Sequence, residues 1–165
     1  MRYLLTLFIL CAFFKNLSAQ SYLFSNEESI ISFKTLNEKM VVLAKDTSNK
    51  YIVYRFGTID TIEFKFPETS NDSWRKFTYS FYLRGGGVEN EGLDLNYIYF
   101  INGKNKYVIY QNYSAVDNNT TCGVKIIDIK SNEIIELVGD PKSKVGNLTD
   151  LRNNESIQIG EELFD

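Results

Sequence analysis

The most unusual stretch of this sequence, and the first place to look for chemistry, is Arg84–Asn96. Four glycines fall close together in it, at Gly85, Gly86, Gly87 and Gly92. Beside them stand acidic and amide side chains, those of Glu89, Asn90, Glu91, Asp94 and Asn96. Glycine clusters let a backbone adopt positive φ or lie close against another group. The segment is therefore the first candidate for a binding or catalytic loop.

Three chemistries fit this loop in part. A phosphate cradle would need a P-loop lysine and a following helix N-terminus, and the sequence has neither signal. Calcium would find oxygen ligands in Glu89, Glu91, Asp94 and Asn96, but their spacing matches no EF-hand. Glycoside hydrolysis needs only two carboxylates at a defined separation, which Glu89, Glu91 and Asp94 could supply. We expect no catalytic residue, metal or cofactor, and keep a carboxylate-only hydrolase as an alternative.

Two simpler interpretations of the loop remain open. In the structural one it joins two strands, with the glycines permitting a tight path and Arg84 pairing with a nearby acid. In the functional one it binds a partner protein, because recognition is often placed on surface loops of a rigid scaffold.

The composition excludes several common kinds of site. The 165 residues contain no histidine, which removes Ser-His-Asp and Cys-His nucleophiles and histidine-ligated zinc. The formal net charge is −3, and the sequence has no basic tract. We therefore expect no nucleic-acid partner and no binding to anionic lipid.

The first nineteen residues have the layout of a cleavable secretory signal. A positive start at Met1-Arg2 precedes the apolar run Tyr3–Phe14, and Leu17-Ser18-Ala19 offers a small-residue cleavage site. Leu10 before Cys11 argues against a lipoprotein signal, and the run is too short for a stable membrane anchor. We expect residues 1–19 to be the signal peptide and 20–165 a single periplasmic or secreted domain, not inserted in a membrane.

Export leaves Cys122 as the one cysteine of the mature domain, so no internal disulfide can form. It begins the strand-like run Cys122-Gly123-Val124, where a small buried thiol is expected. No histidine is present to act as its base.

Alternation of apolar and polar residues dominates the rest of the chain. In Ile62–Phe66 three apolar side chains share one face, and Leu93, Leu95, Tyr97, Tyr99 and Ile101 share another. Such patterns predict antiparallel strands buried on one side. The predicted strands are Ile30–Leu36, Met40–Lys45, Lys50–Phe56, Ile62–Phe66, Phe77–Leu83, Leu93–Ile101, Tyr107–Tyr113, Cys122–Ile129, Glu133–Val138 and Ser156–Ile159. We expect an all-β fold, an antiparallel β-sandwich, with a closed or partly open barrel as the alternative.

Trp74 is the only tryptophan and lies in the polar stretch Ser73-Trp74-Arg75-Lys76. This context predicts a partly exposed ring. With nearby tyrosines it could form a stacking face for carbohydrate or cell wall.

Four separated stretches resemble a group of short exported bacterial proteins. They are Tyr54-Arg55-Phe56-Gly57, Ile62-Glu63-Phe64 with Phe66-Pro67, Arg84-Gly85-Gly86-Gly87-x-x-Asn90-x-Gly92-x-Asp94-x-Asn96-Tyr97, and Lys106-Tyr107-x-x-Tyr110. The resemblance spans about Lys50 to Asp128, and Ser18-Ala19 before Gln20 resembles signals of the Bacteroidota. It implies an exported β-domain and no established activity.

The sequence thus favours an exported binding protein of the inhibitor or immunity type, which neutralises an envelope hydrolase or toxin through the glycine-rich loop. A carbohydrate or cell-wall binding module is the alternative from another class. The candidate binding residues are Trp74, Arg84, Gly85, Gly86, Gly87, Glu89, Asn90, Glu91, Gly92, Asp94 and Asn96.

Overall fold

The computed structural model of the protein describes residues 22–68 and 71–164. The predicted signal peptide lies outside these residues. The described part is all-β and contains no α-helix, and none of its short helical turns could span a membrane. Its strands are β1 (Glu27–Lys34), β2 (Met40–Asp46), β3 (Ile52–Thr58), β4 (Thr61–Phe66), β5 (Thr78–Arg84), β6 (Leu93–Asn102), β7 (Asn105–Ser114), β8 (Asn119–Asp128), β9 (Ile134–Val138), β10 (Val145–Gly146) and β11 (Gln158–Ile159).

The strands form two sheets that enclose one core, as in a β-sandwich. The first sheet has the order β10-β1-β2-β3-β4, and the second has the order β11-β5-β6-β7-β8-β9. Within the runs β1 to β4 and β5 to β9 each strand pairs antiparallel with the next, and β10 pairs antiparallel with β1. The strand β11 pairs parallel with β5. In residues 22–68 and 71–164, an isolated bridge between Thr35 and Gly139 links the sheets along one side, and the sheets do not close into a barrel. The all-β prediction is confirmed.

Stacked aromatic rings fill much of the space between the sheets. The ring of Phe100 in β6 lies 4.1 Å from that of Phe66 and 5.0 Å from that of Tyr107, measured between centroids. Tyr54 and Phe77 pack around the same ring. These contacts place side chains from both sheets in one cluster, and burial of large aromatic groups is the main stabilising contribution such a core can make.

The prediction that β6 is buried on one side is wrong. Ile98 and Phe100 face the space between the sheets, while Leu95 and Tyr97 are buried on the opposite side. The chain end explains the difference, because Phe164 packs on the outer face of the second sheet over these side chains. A strand covered on both sides is apolar at both parities.

Trp74 is buried, contrary to the prediction. The residue is 7% exposed, it belongs to the core cluster, and its indole Nε1 donates to the carbonyl oxygen of Asn49 at 2.9 Å. The short 3-10 helix Ser73–Lys76 turns the ring inward while Arg75 and Lys76 stay outside. Trp74 therefore offers no stacking face to a ligand.

Cys122 is buried, as predicted. Burial is the main cause that raises the pKa of its thiol, to about 11. A thiol this far from ionisation is a packing residue rather than a nucleophile.

Candidate functional site

The glycine-rich segment connects β5 to β6 at one end of the second sheet. Gly86 and Gly87 adopt φ of 95° and 65°, a region that residues with a Cβ seldom enter. A single 3-10 turn, Val88–Asn90, follows them. Two glycines thus set the path that returns the chain to β6.

Hydrogen bonds within the segment fix its shape. The guanidinium of Arg84 donates to the carbonyl oxygen of Glu91 from Nε and a terminal nitrogen, at 2.9 and 2.6 Å. The side chain of Asn90 donates to the carbonyl of Gly85 at 2.7 Å, and the amide of Gly92 donates to the carbonyl of Gly87 at 2.8 Å. The pairing of Arg84 within the loop matches the structural interpretation.

Within the described part of the chain, the loop side chains of Val88 and Glu89 make no hydrogen bond or ion pair. Val88 is 64% exposed at the crest of the turn, and Glu89 beside it is exposed as well. The carboxylate of Glu91 lies 3.6 Å from the guanidinium of Arg84. The loop therefore exposes one apolar side chain and one acidic side chain, and hydrogen bonds within the loop hold its backbone.

Exposed apolar side chains surround the loop. Phe81, Leu83 and Tyr113 lie on the core-facing side of the second sheet, since the register pairs Leu83 with Asp94 and Asp94 with Tyr113. That side is fully buried further along at Ile98, so the first sheet covers only part of it. We call the exposed apolar side chains at this end the tip surface: Phe81, Leu83, Val88, Tyr113 and Val116.

The glycine-rich loop is also hydrogen-bonded to the turn between β7 and β8. The amide of Ala115, which begins the turn from β7 to β8, donates to the carbonyl of Gly92 at 2.8 Å. Val116 in that turn is exposed. The two turns that carry Val88 and Val116 are therefore joined by a backbone hydrogen bond.

Asp94 and Asn96 lie below the tip in a polar network with Arg152. The guanidinium of Arg152 pairs with the carboxylate of Asp94 and donates to Asn96 Oδ1 at 2.9 Å. The hydroxyl of Tyr79 donates to the same oxygen at 2.6 Å, and burial is the main cause that raises the pKa of Tyr79 to about 12. The ring of Phe81 lies 4.9 Å above the guanidinium. Through Phe81 this network contacts the tip surface from the interior of the domain.

The network determines whether the predicted acidic residue Asp94 is available to a ligand. Asp94 accepts hydrogen bonds from Arg152 and Asn96, so it is already engaged by protein groups. Among residues 22–68 and 71–164, no three acidic or cysteine side chains converge as a metal site would require. The Asp94 carboxylate is therefore part of an intramolecular polar network.

A second polar cluster was missed by the sequence interpretation. Arg55 of β3 and Glu27 of β1 form a two-point ion pair on the outer face of the first sheet, with both N···O distances 2.7 Å. Their side chains are 2% and 0% exposed. The available signal was a charged residue in the apolar run Ile52-Val53-Tyr54-Arg55-Phe56, but its partner lies 28 residues away.

Hydrogen bonds govern the charge of this pair. Burial alone would raise the pKa of Glu27, but donors from Arg55, the Phe24 amide and the Tyr51 hydroxyl lower it below its ordinary value. The pKa of Tyr51 is raised, first by burial and second by its hydrogen bond to Glu27. The lowered pKa keeps the Glu27 carboxylate ionised at neutral pH.

Comparison of the chain with known protein families, with curated proteins and with solved structures finds no match.

Proposed function

We propose that this protein is an exported binding protein of the inhibitor or immunity type, which neutralises an envelope-acting hydrolase or toxin with its tip surface. The observation that carries the proposal is the glycine-rich loop, which its own hydrogen bonds hold in one conformation. Arg84 and Asn90 are used to hold the loop, so Val88 and Glu89 are free to touch a partner.

Rigidity matters because a partner would not have to order the loop on binding. Ordering flexible side chains and loops is a large part of the free-energy cost of association. A turn joined to its neighbour through Gly92 and Ala115 avoids much of that cost. Inhibitors that insert a rigid loop into a concave site can bind tightly through an interface of ordinary size, about 1,600 Å² in total.

The chemistry of the tip surface also favours a protein partner. Leu83 is 57% exposed, and Phe81, Val88, Tyr113 and Val116 extend its apolar area. Exposed apolar groups gathered at one end of a domain are typical of protein contact sites. The acidic net charge and the absence of a basic tract in the sequence argue against nucleic acid as the partner.

The proposal can be tested by photocrosslinking in cells that export the protein. A benzoylphenylalanine at position 88 should give one discrete adduct. The matched control is position 59, where Ile59 is similarly exposed in the turn from β3 to β4 of the other sheet. Identical adducts from both positions, or none from position 88, would overturn the proposal.

The captured protein must then be inhibited. The purified protein should abolish its enzymatic activity at one-to-one stoichiometry, and the double variant Leu83→Asp, Val88→Asp should lose this effect with an unchanged melting temperature. Ile59→Asp should inhibit like the wild type. A captured enzyme whose activity is unaffected would count against an inhibitor or immunity role.

A further inference from the structure

A groove on the outer side of the first sheet lies away from the tip surface and has no part in the proposed inhibitor role. Its deeper end is a cavity of about 430 Å³ lined by Phe24, Arg55, Lys65, Pro67 and Asn71, among others. Its more open end is lined by Asn26, Lys50 and Asp72. Tyr51 and Asn71 line both ends, so the two cavities lie side by side, and we call them together the groove. Its size is that of a small-molecule site.

The floor of the groove is the buried Arg55–Glu27 pair. Glu27 accepts from both terminal nitrogens of Arg55 and from the hydroxyl of Tyr51 at 2.9 Å. Asn26 donates to that hydroxyl from the other side at 3.0 Å. The Tyr51 ring is therefore held in place before any ligand arrives.

Phe24 supplies a second fixed ring. Its face lies 4.6 Å over the guanidinium of Arg55, and its backbone amide donates to Glu27 at 2.9 Å. The residue is nevertheless 52% exposed. An aromatic ring held from one side and open on the other is a stacking platform, because its electron-rich face attracts polarised C–H groups as well as cations.

Polar side chains with unused hydrogen-bonding capacity stand around this platform. The amide of Asn71 and the carboxylates of Glu68 and Asp72 make no hydrogen bond within the described part of the chain. Asn71 and Asp72 are exposed at the junction between the two ends of the groove. These groups can both donate to and accept from a ligand rich in hydroxyls.

The charges of the groove nearly cancel. Arg55 is neutralised by Glu27, and Lys50 and Lys65 stand among Asp46, Glu68 and Asp72. A groove built for a strongly charged ligand would show one dominant sign. Fixed aromatic rings, the open amide of Asn71 and balanced charge together fit an uncharged ring that carries hydroxyl groups.

We propose that this groove binds a neutral pyranose saccharide, with one sugar ring stacked on Phe24 and its hydroxyls bound by Asn71 and neighbouring polar groups. The site is separate from the tip surface, so either proposal can fail without the other. It would hold the protein on a glycan while the tip surface stays free.

Titration of the whole mature protein with three neutral trisaccharides tests the proposal: chitotriose, cellotriose and maltotriose. At least one should bind, and saturation-transfer NMR should show contact with its ring protons. Phe24→Leu keeps an apolar cover over Arg55 but removes the aromatic face, so affinity should fall about tenfold. Asn71→Ala, at an exposed position, should weaken binding about threefold to tenfold.

Phe81→Leu is the matched control, because the Phe81 ring also lies over an arginine and is also partly exposed. It should leave saccharide affinity unchanged. Each variant must keep the melting temperature of the wild type within a few degrees. If Phe24→Leu unfolds, Asn71→Ala alone tests the site. Failure of all three trisaccharides to bind, binding of trigalacturonate in their place, or equal loss in Phe81→Leu would overturn the proposal.

Discussion

Two arginine–carboxylate pairs of this protein have the same parts in different surroundings. Arg55 pairs with Glu27 under the ring of Phe24, and Arg152 pairs with Asp94 under the ring of Phe81. The first pair makes two hydrogen bonds at 2.7 Å and is shielded from solvent. In the second pair the side chains are 20% and 27% exposed, and Nε of Arg152 is buried without a hydrogen-bond partner in the described part of the chain.

The difference shows how burial changes the contribution of an ion pair to stability. A fully buried pair costs free energy to desolvate, and removal of one partner leaves an uncompensated charge. A pair that water can reach keeps an alternative partner and contributes less. We therefore interpret the Arg55 pair as a fixed support for the groove, and the Arg152 pair as a softer support for the tip surface.

The largest expected effect comes from breaking the buried pair. Glu27→Ala leaves the Arg55 guanidinium charged and unpaired, so the free energy of unfolding should fall by about 3–5 kcal/mol. Urea denaturation followed by Trp74 fluorescence would measure it. Glu28→Ala is the control, because Glu28 pairs with Lys45 on the surface and should change stability by less than about 1 kcal/mol. Equal effects of the two variants would refute the contrast.

Arg152→Met should cost less, about 1–2 kcal/mol, because water can solvate the Asp94 carboxylate that it leaves. The hydrogen bond from Tyr79 to Asn96 should survive, since it does not involve Arg152. The same denaturation experiment measures the change. A loss as large as that of Glu27→Ala would show that the two pairs are energetically alike.

Acid should act on the buried pair in a defined direction. The pKa of Glu27 is lowered in the folded state, so its contribution to stability is complete above the unfolded value of about 4.3 and disappears as pH falls through the folded value. The stability difference between wild type and Glu27→Gln should therefore shrink as the pH is lowered from 6 toward 2. A difference that stays constant over this range would contradict the assignment.

Salt should change stability least of these treatments. It should nevertheless distinguish the two ion pairs, because only one of them is reached by solvent ions. At 1 M NaCl the Debye length is about 3 Å, so the partly exposed Arg152–Asp94 pair is screened. The stability difference between wild type and Arg152→Met should decrease, while that between wild type and Glu27→Ala should hardly change. Decreases of equal size in both differences would mean that solvent ions reach both pairs alike.

The fold was predictable because alternation is a local signal. Each predicted strand has a counterpart, with bounds that shift by a few residues, as in Met40–Lys45 against Met40–Asp46. The pairing of Arg84 inside its loop was predictable for the same reason, since its partner Glu91 is seven residues away.

Features made by distant segments were not predictable. The outward burial of Leu95 and Tyr97 depends on Phe164, and the buried state of Arg55 depends on Glu27. Trp74 was predicted to be partly exposed from its polar neighbours, but a short 3-10 helix turns the ring to a carbonyl acceptor at Asn49. In each case the deciding contact joins residues that no periodic pattern relates.

The proposed function depends most on a glycine-rich loop that is rigid before it binds. Backbone ¹⁵N relaxation of the free protein tests this directly for residues 85–92. We predict order parameters of about 0.85 throughout the loop, equal to those of β5 and β6. Values below about 0.6 from Gly85 to Glu91 would show a flexible connection and contradict the account.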